Sequence, residues 1–331
     1  MNQGLARRLS VVVVTYNSAG AVAASLPALC SQLGPGDELV VVDNASSDGT
    51  VATVRDLAPG ARLLANDGNA GFAAAANAGA RAARGDVLVL LNPDATPQPG
   101  FVEAIRAPRG DWAAWMGLVR AGAGVNSSGG VLHFTGIAWA GHDPVTEPRE
   151  VAFLSGACLA VPRAAFLEAG GFSDAYFMYH EDVDLSLRLR LLGGRLGVEP
   201  DAVVDHDYEF AKGPDKWRLL ERNRWATIVR CYPARLLVLL APALLATELA
   251  LLPAAAAGGW LPQKLAATAE TVRALPRLVR ERRAVPRTVS TAHFAASLTA
   301  ELDSPHLGRP GRSRLLRAAL RGYWRLVLAL C

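Results

Sequence analysis

Apolar residues in the first hundred positions come in short runs: Val11–Val14, the Glu38–Val42 segment, Ala61–Ala65 interrupted by Arg62, and Val87–Leu91. Runs of this length, rich in β-branched residues, fit strands covered on both faces. Between them lie Ala- and Leu-rich segments that predict helices, from Ser18 to about Leu33, over Thr50–Leu57 and from Asn69 to about Arg84. Strand and helix therefore alternate three times before Asp86, the pattern of a parallel, doubly wound α/β sheet. Each run stops at polar residues: Thr15 and Asn17 after the first, Asp43 after the second, Asn92-Pro93-Asp94 after the fourth. Pro93 cannot donate to a sheet ladder, so the fourth strand ends there. Open α/β sheets hold ligands at the carboxyl ends of their strands, and these polar groups are expected to converge on that edge.

Beyond Pro97 the pattern weakens. Ala121–Gly130 reads as a loop, Val131–Ala140 as a weakly alternating strand and Phe153–Val161 as another strand, with Pro162 opening a short helix to Glu168. Gly170-Gly171-Phe172 turns the chain toward Phe177–Asp184. An amphipathic helix then runs to about Leu192, with Leu185, Leu189 and Leu192 expected to face the core and Gly193-Gly194 as its stop. A last short strand, Ala202–Asp205, delivers His206.

Charge divides the chain. Residues 211–331 carry 20 Lys and Arg against 7 Asp and Glu, a net of +13, so a chain of net +4 leaves −9 on residues 1–210. Two regions are expected: a catalytic domain over 1–210 and a basic, apolar helical region over 211–331. The basic half carries long Leu/Ala runs rather than aromatics interleaved with Arg and Gly, so a membrane surface is the expected partner and nucleic acid is not. Helix is expected from Glu221 toward Arg235. Leu236–Trp260 then runs with the single charge Glu248, long enough to cross a bilayer. Its flanks are both basic, and Pro242, Pro253 and Gly258-Gly259 interrupt it, which favours an interfacial or re-entrant hairpin over a span. Arg314–Cys331 reads as a second membrane-surface helix. Cys30, Cys158, Cys231 and Cys331 lack metal-type spacing and read as reduced packing residues. Met1–Arg8 holds no apolar stretch, so the front half is expected at the cytoplasmic face of the membrane.

Four places have the residue types of a catalytic site, each with a structural alternative. Asp43 either makes an Asx-turn and helix cap or accepts hydrogen bonds from a nucleotide. Asp94 either belongs to a polar turn or holds a divalent cation (Mg²⁺ or Mn²⁺) against a diphosphate, since such ions take one or two carboxylates and fill the rest with phosphate oxygens. Glu181, Asp182 and Asp184 either satisfy the dipole of a helix N-terminus or, crowded beside His180, split their pKa values and leave one as a base. His206 is structural or lies near the metal and diphosphate. Neither GxGxxG nor GxxxxGK[ST] occurs, which argues against a dinucleotide site and a P-loop.

As a set, Val-Val-Val-Val-Thr-Tyr-Asn-Ser (11–18), Val-Val-Asp-Asn-Ala-Ser-Ser-Asp-Gly-Thr (41–50), Asn-Ala-Gly-Phe-Ala (69–73), Leu-Leu-Asn-Pro-Asp (90–94), Gly-Gly-Phe (170–172) and Phe-Met-Tyr-His-Glu-Asp-Val-Asp-Leu (177–185) resemble family 2 glycosyltransferases, most of all the bacterial rhamnosyltransferase-like branch. The resemblance covers about residues 9–232. It implies a GT-A fold, a Rossmann-like mixed sheet flanked by helices, and inverting transfer from a nucleotide-activated sugar. By position it implies donor contacts from Thr15, Asn17, Asp43, Asn69, Gly71 and Asn92. Asp94 would be the last carboxylate of a DxD-type metal motif whose first is here Asn92, with His206 beside the metal. Asp182 would be the catalytic base, and Gly156, His180 and Glu181 would lie on the acceptor side. The branch implies a dTDP- or UDP-sugar donor and a lipid-linked or glycan acceptor in envelope polysaccharide synthesis. The rival readings are a sugar nucleotidyltransferase, which would need a Gly-rich basic loop near residues 15–22, and a non-catalytic nucleotide-binding membrane protein.

Overall fold

The computed structural model describes residues 7–206, 213, 215–303 and 313–331, so the expected boundary at 210/211 lies outside the described residues. The front half follows the apolar runs. Strands β1 (Leu9–Thr15), β2 (Glu38–Asp43), β3 (Arg62–Ala65) and β4 (Val87–Leu91) pair in parallel in the order β3-β2-β1-β4. Helices α1 (Ala19–Cys30), α2 (Thr50–Leu57) and α3 (Gly71–Ala82) connect them. Every residue of β1 and β4 is buried, as continuous apolar runs require.

After β4 the sheet becomes mixed. The segment holds β5 (Thr96–Pro97), α4 (Phe101–Arg106), β6 (Ala114–Ala121), β7 (Gly124–Ser127), β8 (Gly130–Leu132), β9 (Ala138–Ala140), β10 (Arg149–Glu150), β11 (Cys158–Pro162) and α5 (Arg163–Glu168). Helix α6 (Glu181–Leu191) and β12 (Leu196–Asp205) follow. β11 runs antiparallel between β4 and β6, and β12 lies parallel to β6 on its far side. Several expectations change here. Ala121–Gly130 is not all loop, because β7 folds back on β6. The strand expected over Val131–Ala140 is one arm and the return of a hairpin, β8 with β9, turning between them. Phe153–Val161 shortens to β11, with Phe153 only bridging Gly130. The short strand at Ala202–Asp205 is the end of a ten-residue strand with an irregular register between Glu199 and Val203.

Helix α6 is not amphipathic. Leu185 and Leu189 join the main core along the sheet, while Val183, Leu187 and Leu191 join a second apolar cluster with Ile228, Tyr232 and Leu236. Leu192 lies beyond the helix end and is 40% exposed rather than core-facing.

The basic region is helical: α7 (Asp215–Cys231), α8 (Ala234–Ala257), α9 (Leu261–Ala284), α10 (Thr291–Ala295) and α11 (Arg314–Leu330). Helix begins before Glu221 and breaks at Tyr232-Pro233, where Pro233 fixes the entry to α8. Pro242 and Pro253 do not break α8, which continues to Gly258. Helix α7 packs on both α6 and α9.

Candidate active site

The strand order reverses between β1 and its two neighbours, β2 and β4, and the polar strand ends gather there. Beside this edge Ser155-Gly156-Ala157 leads into β11, and the Ala157 carbonyl accepts the Asn92 N–H at 3.0 Å. From the far side β12 brings His206. Its position is tightly set: its N–H donates to the Arg120 carbonyl at 2.8 Å, its carbonyl accepts Asn126 Nδ2 at 2.8 Å, and the preceding Asp205 accepts Arg120 and Gln98. The His206 Nε2 lies 3.0 Å from Asp94 Oδ1; the ring is buried and the carboxylate is 42% exposed. Two residues expected to flank a cation, from the ends of β4 and β12, which β11 and β6 separate in the sheet, are thus adjacent.

The segment before α6 is backbone under strain. Phe177 has φ 64 and ψ −65, and Met178 N–H donates to the Tyr176 carbonyl at 2.7 Å, a γ-turn of the rare positive-φ form. Tyr179 and His180 also have positive φ. Such conformations persist only where surroundings hold them. Asn223 Nδ2 on α7 reaches the carbonyls of Tyr176, Met178 and Tyr179 at 3.1, 2.9 and 2.7 Å. Arg222 donates to Ala175 and Tyr176. From α3, Ala73 N–H donates to the Phe177 carbonyl, and Gly71 packs under the Phe177 ring with φ 83.

This turn sets the carboxylates of α6 in three different environments. Asp184 is fully buried between Arg188 (2.8 Å) and Arg230 (2.6 Å), with the Tyr176 hydroxyl at 3.2 Å. Burial pushes its carboxyl up, but the two guanidinium groups overcome that and hold it below the usual range. Asp184 is therefore a structural anion and not a base candidate. Asp182 Oδ2 accepts the Gly156 N–H at 3.0 Å and Oδ1 accepts the Val183 N–H at 2.7 Å. Burial raises its pKa despite those donors. Glu181 is raised well above the carboxylate range, by burial and then by the Asp182 charge. Burial and the nearby Arg224 lower the His180 imidazole to about 4, so it is neutral.

A cavity of about 310 Å³ lies between these groups. Asn92, Gly156, His180, Glu181, Asp182 and His206 all line it, with Phe72, Asn126 and Tyr179. The other expected residues stand apart. Asp43 is buried and its carboxylate accepts Thr15 Oγ1 (2.7 Å), Ser46 Oγ (2.6 Å) and Ser46 N–H (2.9 Å), which is the Asx-turn geometry; one lone pair on Oδ2 remains. Asn17 joins the loops after β1 and β2, accepting Ser47 N–H and donating its own N–H to Ser46 Oγ. Asn69 Oδ1 accepts the Gly71 N–H, a local turn. Asn126 and Asn223 carry no signal in the sequence, because one lies in a Gly/Ser-rich stretch and the other in a helix interior.

Family models match twice. "Glycosyl transferase family 2" covers residues 10–168 and "Glycosyl transferase family group 2" covers residues 94–299. An N-acetylglucosaminyl-diphospho-decaprenol L-rhamnosyltransferase of Mycobacterium tuberculosis is 32% identical over 254 residues, 67% of this chain and 83% of its own. A pre-mycofactocin glycosyltransferase of the same species is 28% identical, over 61% of this chain and 43% of its own. Among solved structures, S. aureus TarS 1–349 in complex with UDP-GlcNAc aligns with a TM-score of 0.56 at 18% identity, over 97% of this chain and 90% of that one. The mannosyltransferase PcManGT of Pyrobaculum calidifontis, solved with GDP-Man and Mn²⁺, aligns with a TM-score of 0.52 at 22% identity, over 89% and 86%.

Proposed function

The chain belongs to glycosyltransferase family 2 and is a glycosyltransferase of GT-A fold; from that premise we propose an inverting transfer in which Asp182 is the base. The observation that carries this reading is the placement of Asp182. Its carboxylate is held by two backbone N–H groups in the wall of the cavity that Asn92 and His206 also line. Asp182 takes the proton of an acceptor hydroxyl. The hydroxyl oxygen bonds to the anomeric carbon of the donor as the bond from that carbon to the diphosphate oxygen breaks on the opposite face. The Asn92 amide and the groups at the β1, β2 and β4 ends hold the donor. Asp43 keeps its base-facing role only through the one lone pair its turn leaves over.

Asp94 and His206 fit a divalent cation as a two-donor site, a carboxylate and an imidazole, with the remaining positions left to phosphate oxygens. Among the described residues there is no larger group of ligating side chains. A bound Mg²⁺ or Mn²⁺ supplies charge neutralisation for the departing diphosphate.

For substrates, the rhamnosyltransferase relative supports a rhamnosyl donor and a polyprenyl-diphosphate-linked sugar as acceptor; the donor of this reading is dTDP-rhamnose, with a UDP-sugar second. The work would then take place at the cytoplasmic face of a membrane, in envelope polysaccharide synthesis. A panel of nucleotide sugars, each with Mg²⁺ or Mn²⁺ and with EDTA, tests this. The expected result is cation-dependent release of one nucleoside diphosphate, fastest from dTDP-rhamnose. No release from any donor would leave a non-catalytic nucleotide binder as the reading.

A further inference from the structure

Resting on the reading of the chain as a membrane-held transferase, we propose that α8 lies in the plane of an anionic bilayer surface and does not cross it. Helix α8 is long and apolar enough to span. Its outward stripe, Val238, Pro242, Leu245, Leu249 and Leu252, keeps the 3-4 spacing of one helix face. Val238, Leu245 and Leu249 are 75%, 62% and 60% exposed. Soluble proteins rarely leave such a continuous apolar strip in water.

The opposite face is fixed to the rest of the protein. Leu236, Leu240 and Leu244 are buried in the second core. Glu248, the one acidic residue of α8, points inward: its carboxylate accepts Trp225 Nε1 at 3.0 Å and Lys264 Nζ at 2.6 Å and pairs with Arg224. Lys264 and Arg224 are almost fully buried and share Glu221 as their second partner. Threading α8 through a bilayer would carry Glu248 into hydrocarbon and leave these two cations short of a partner, a costly exchange on both sides. The Tyr323 hydroxyl of α11 also donates to the Leu239 carbonyl at 2.5 Å, so α8 is clasped from two directions.

Charge identifies the surface it meets. Arg235 begins the outward stripe, and Arg273, Arg280, Arg283, Arg314 and Arg325 are exposed on α9 and α11. The acidic residues of α8 and α9, namely Glu248, Glu270 and Glu281, are all in ion pairs. Helix α11 adds Leu315 and Leu326, 86% and 58% exposed, while Trp324 and Val327 face the protein. Exposed apolar side chains together with exposed arginines are the composition of helices seated among acidic headgroups.

The test uses the full chain and phosphatidylcholine vesicles with and without phosphatidylglycerol, containing no polyprenyl lipid. Binding is expected to the anionic vesicles, about tenfold or more weaker to neutral ones. Alkaline carbonate should release it. The double variant L245E/L249E, with its fold checked by circular dichroism and its donor hydrolysis unchanged, should lose vesicle binding about tenfold or more. Retention after carbonate would show a span and overturn the proposal. So would undiminished binding of L245E/L249E, or a lipid-free dimer that the variant abolishes, which would assign the face to a second copy. Donor hydrolysis is read separately, so failure here leaves the catalytic reading standing.

Discussion

The Asp182 carboxylate accepts two backbone N–H bonds and still titrates above an ordinary aspartate, because burial outweighs those donors. A base must be ionised to act, so the transfer rate should fall as pH drops through this raised pKa, at a higher pH than a solvated aspartate would give. Asp182→Asn should lower turnover by about 10²–10⁴-fold and abolish that acid limb. Calorimetry should show donor affinity within a few-fold of wild type; near-normal turnover would remove Asp182 from the base role. Glu181 makes a separate prediction. Its folded pKa lies above the ordinary value of 4.5, so it favours the folded state fully below that pH, and the contribution is lost as pH rises through the folded value. Glu181→Gln has no such proton to lose. The wild-type melting temperature should therefore fall relative to the variant as the pH rises above the ordinary value of 4.5 and through the raised folded one. Parallel melting curves would show that Glu181 is not held protonated.

The 177–180 turn lies between α3 and the start of α6, and its strain is countered from outside its own sequence. Gly71 at the start of α3 has φ 83, and a Cβ there would lie 2.5 Å from Phe177 Cδ2 and 2.6 Å from the Phe177 carbonyl oxygen. Gly71→Ala should cost about 1–2 kcal/mol for the left-handed backbone alone, with the clash added. It should also move the turn, so acceptor KM and kcat should change; a fully active variant with an unchanged melting temperature would refute this. Little of that coupling is legible in the sequence. The β1–β4 strands are legible because each is a short apolar run with a polar stop. The region after Pro97 is not, because Gly, Ala and Ser blur the alternation and β6 finds its partners far along the chain. Asp184 looked equivalent to its neighbours, since its decisive partner Arg230 lies 46 residues on. The meeting of Asp94 with His206 is open from their strand ends, each with a structural alternative, and the family motifs decide between them, as nothing local to either residue implies the other.

At the scale of the whole molecule, the basic helical region is built into the catalytic one. Arg230 neutralises Asp184 in α6, and Asn223 holds the turn before that helix, so α7 shapes one wall of the cavity. The insertion of β12 has a further consequence, for biosynthesis. β12 covers one side of β6 along most of its length, while β11 pairs with Trp115 and Met116 and β7 with Val119–Ala121. Until residue 205 has left the ribosome, β6 (Ala-Trp-Met-Gly-Leu-Val-Arg-Ala) is an apolar strand with a largely open edge, a template for pairing with other chains. A chain ending at residue 195 should accumulate in the insoluble fraction while the full chain stays with membranes, and Met116→Lys in that fragment should restore part of its solubility. A soluble, monomeric fragment would mean that the open edge is shielded in some other way.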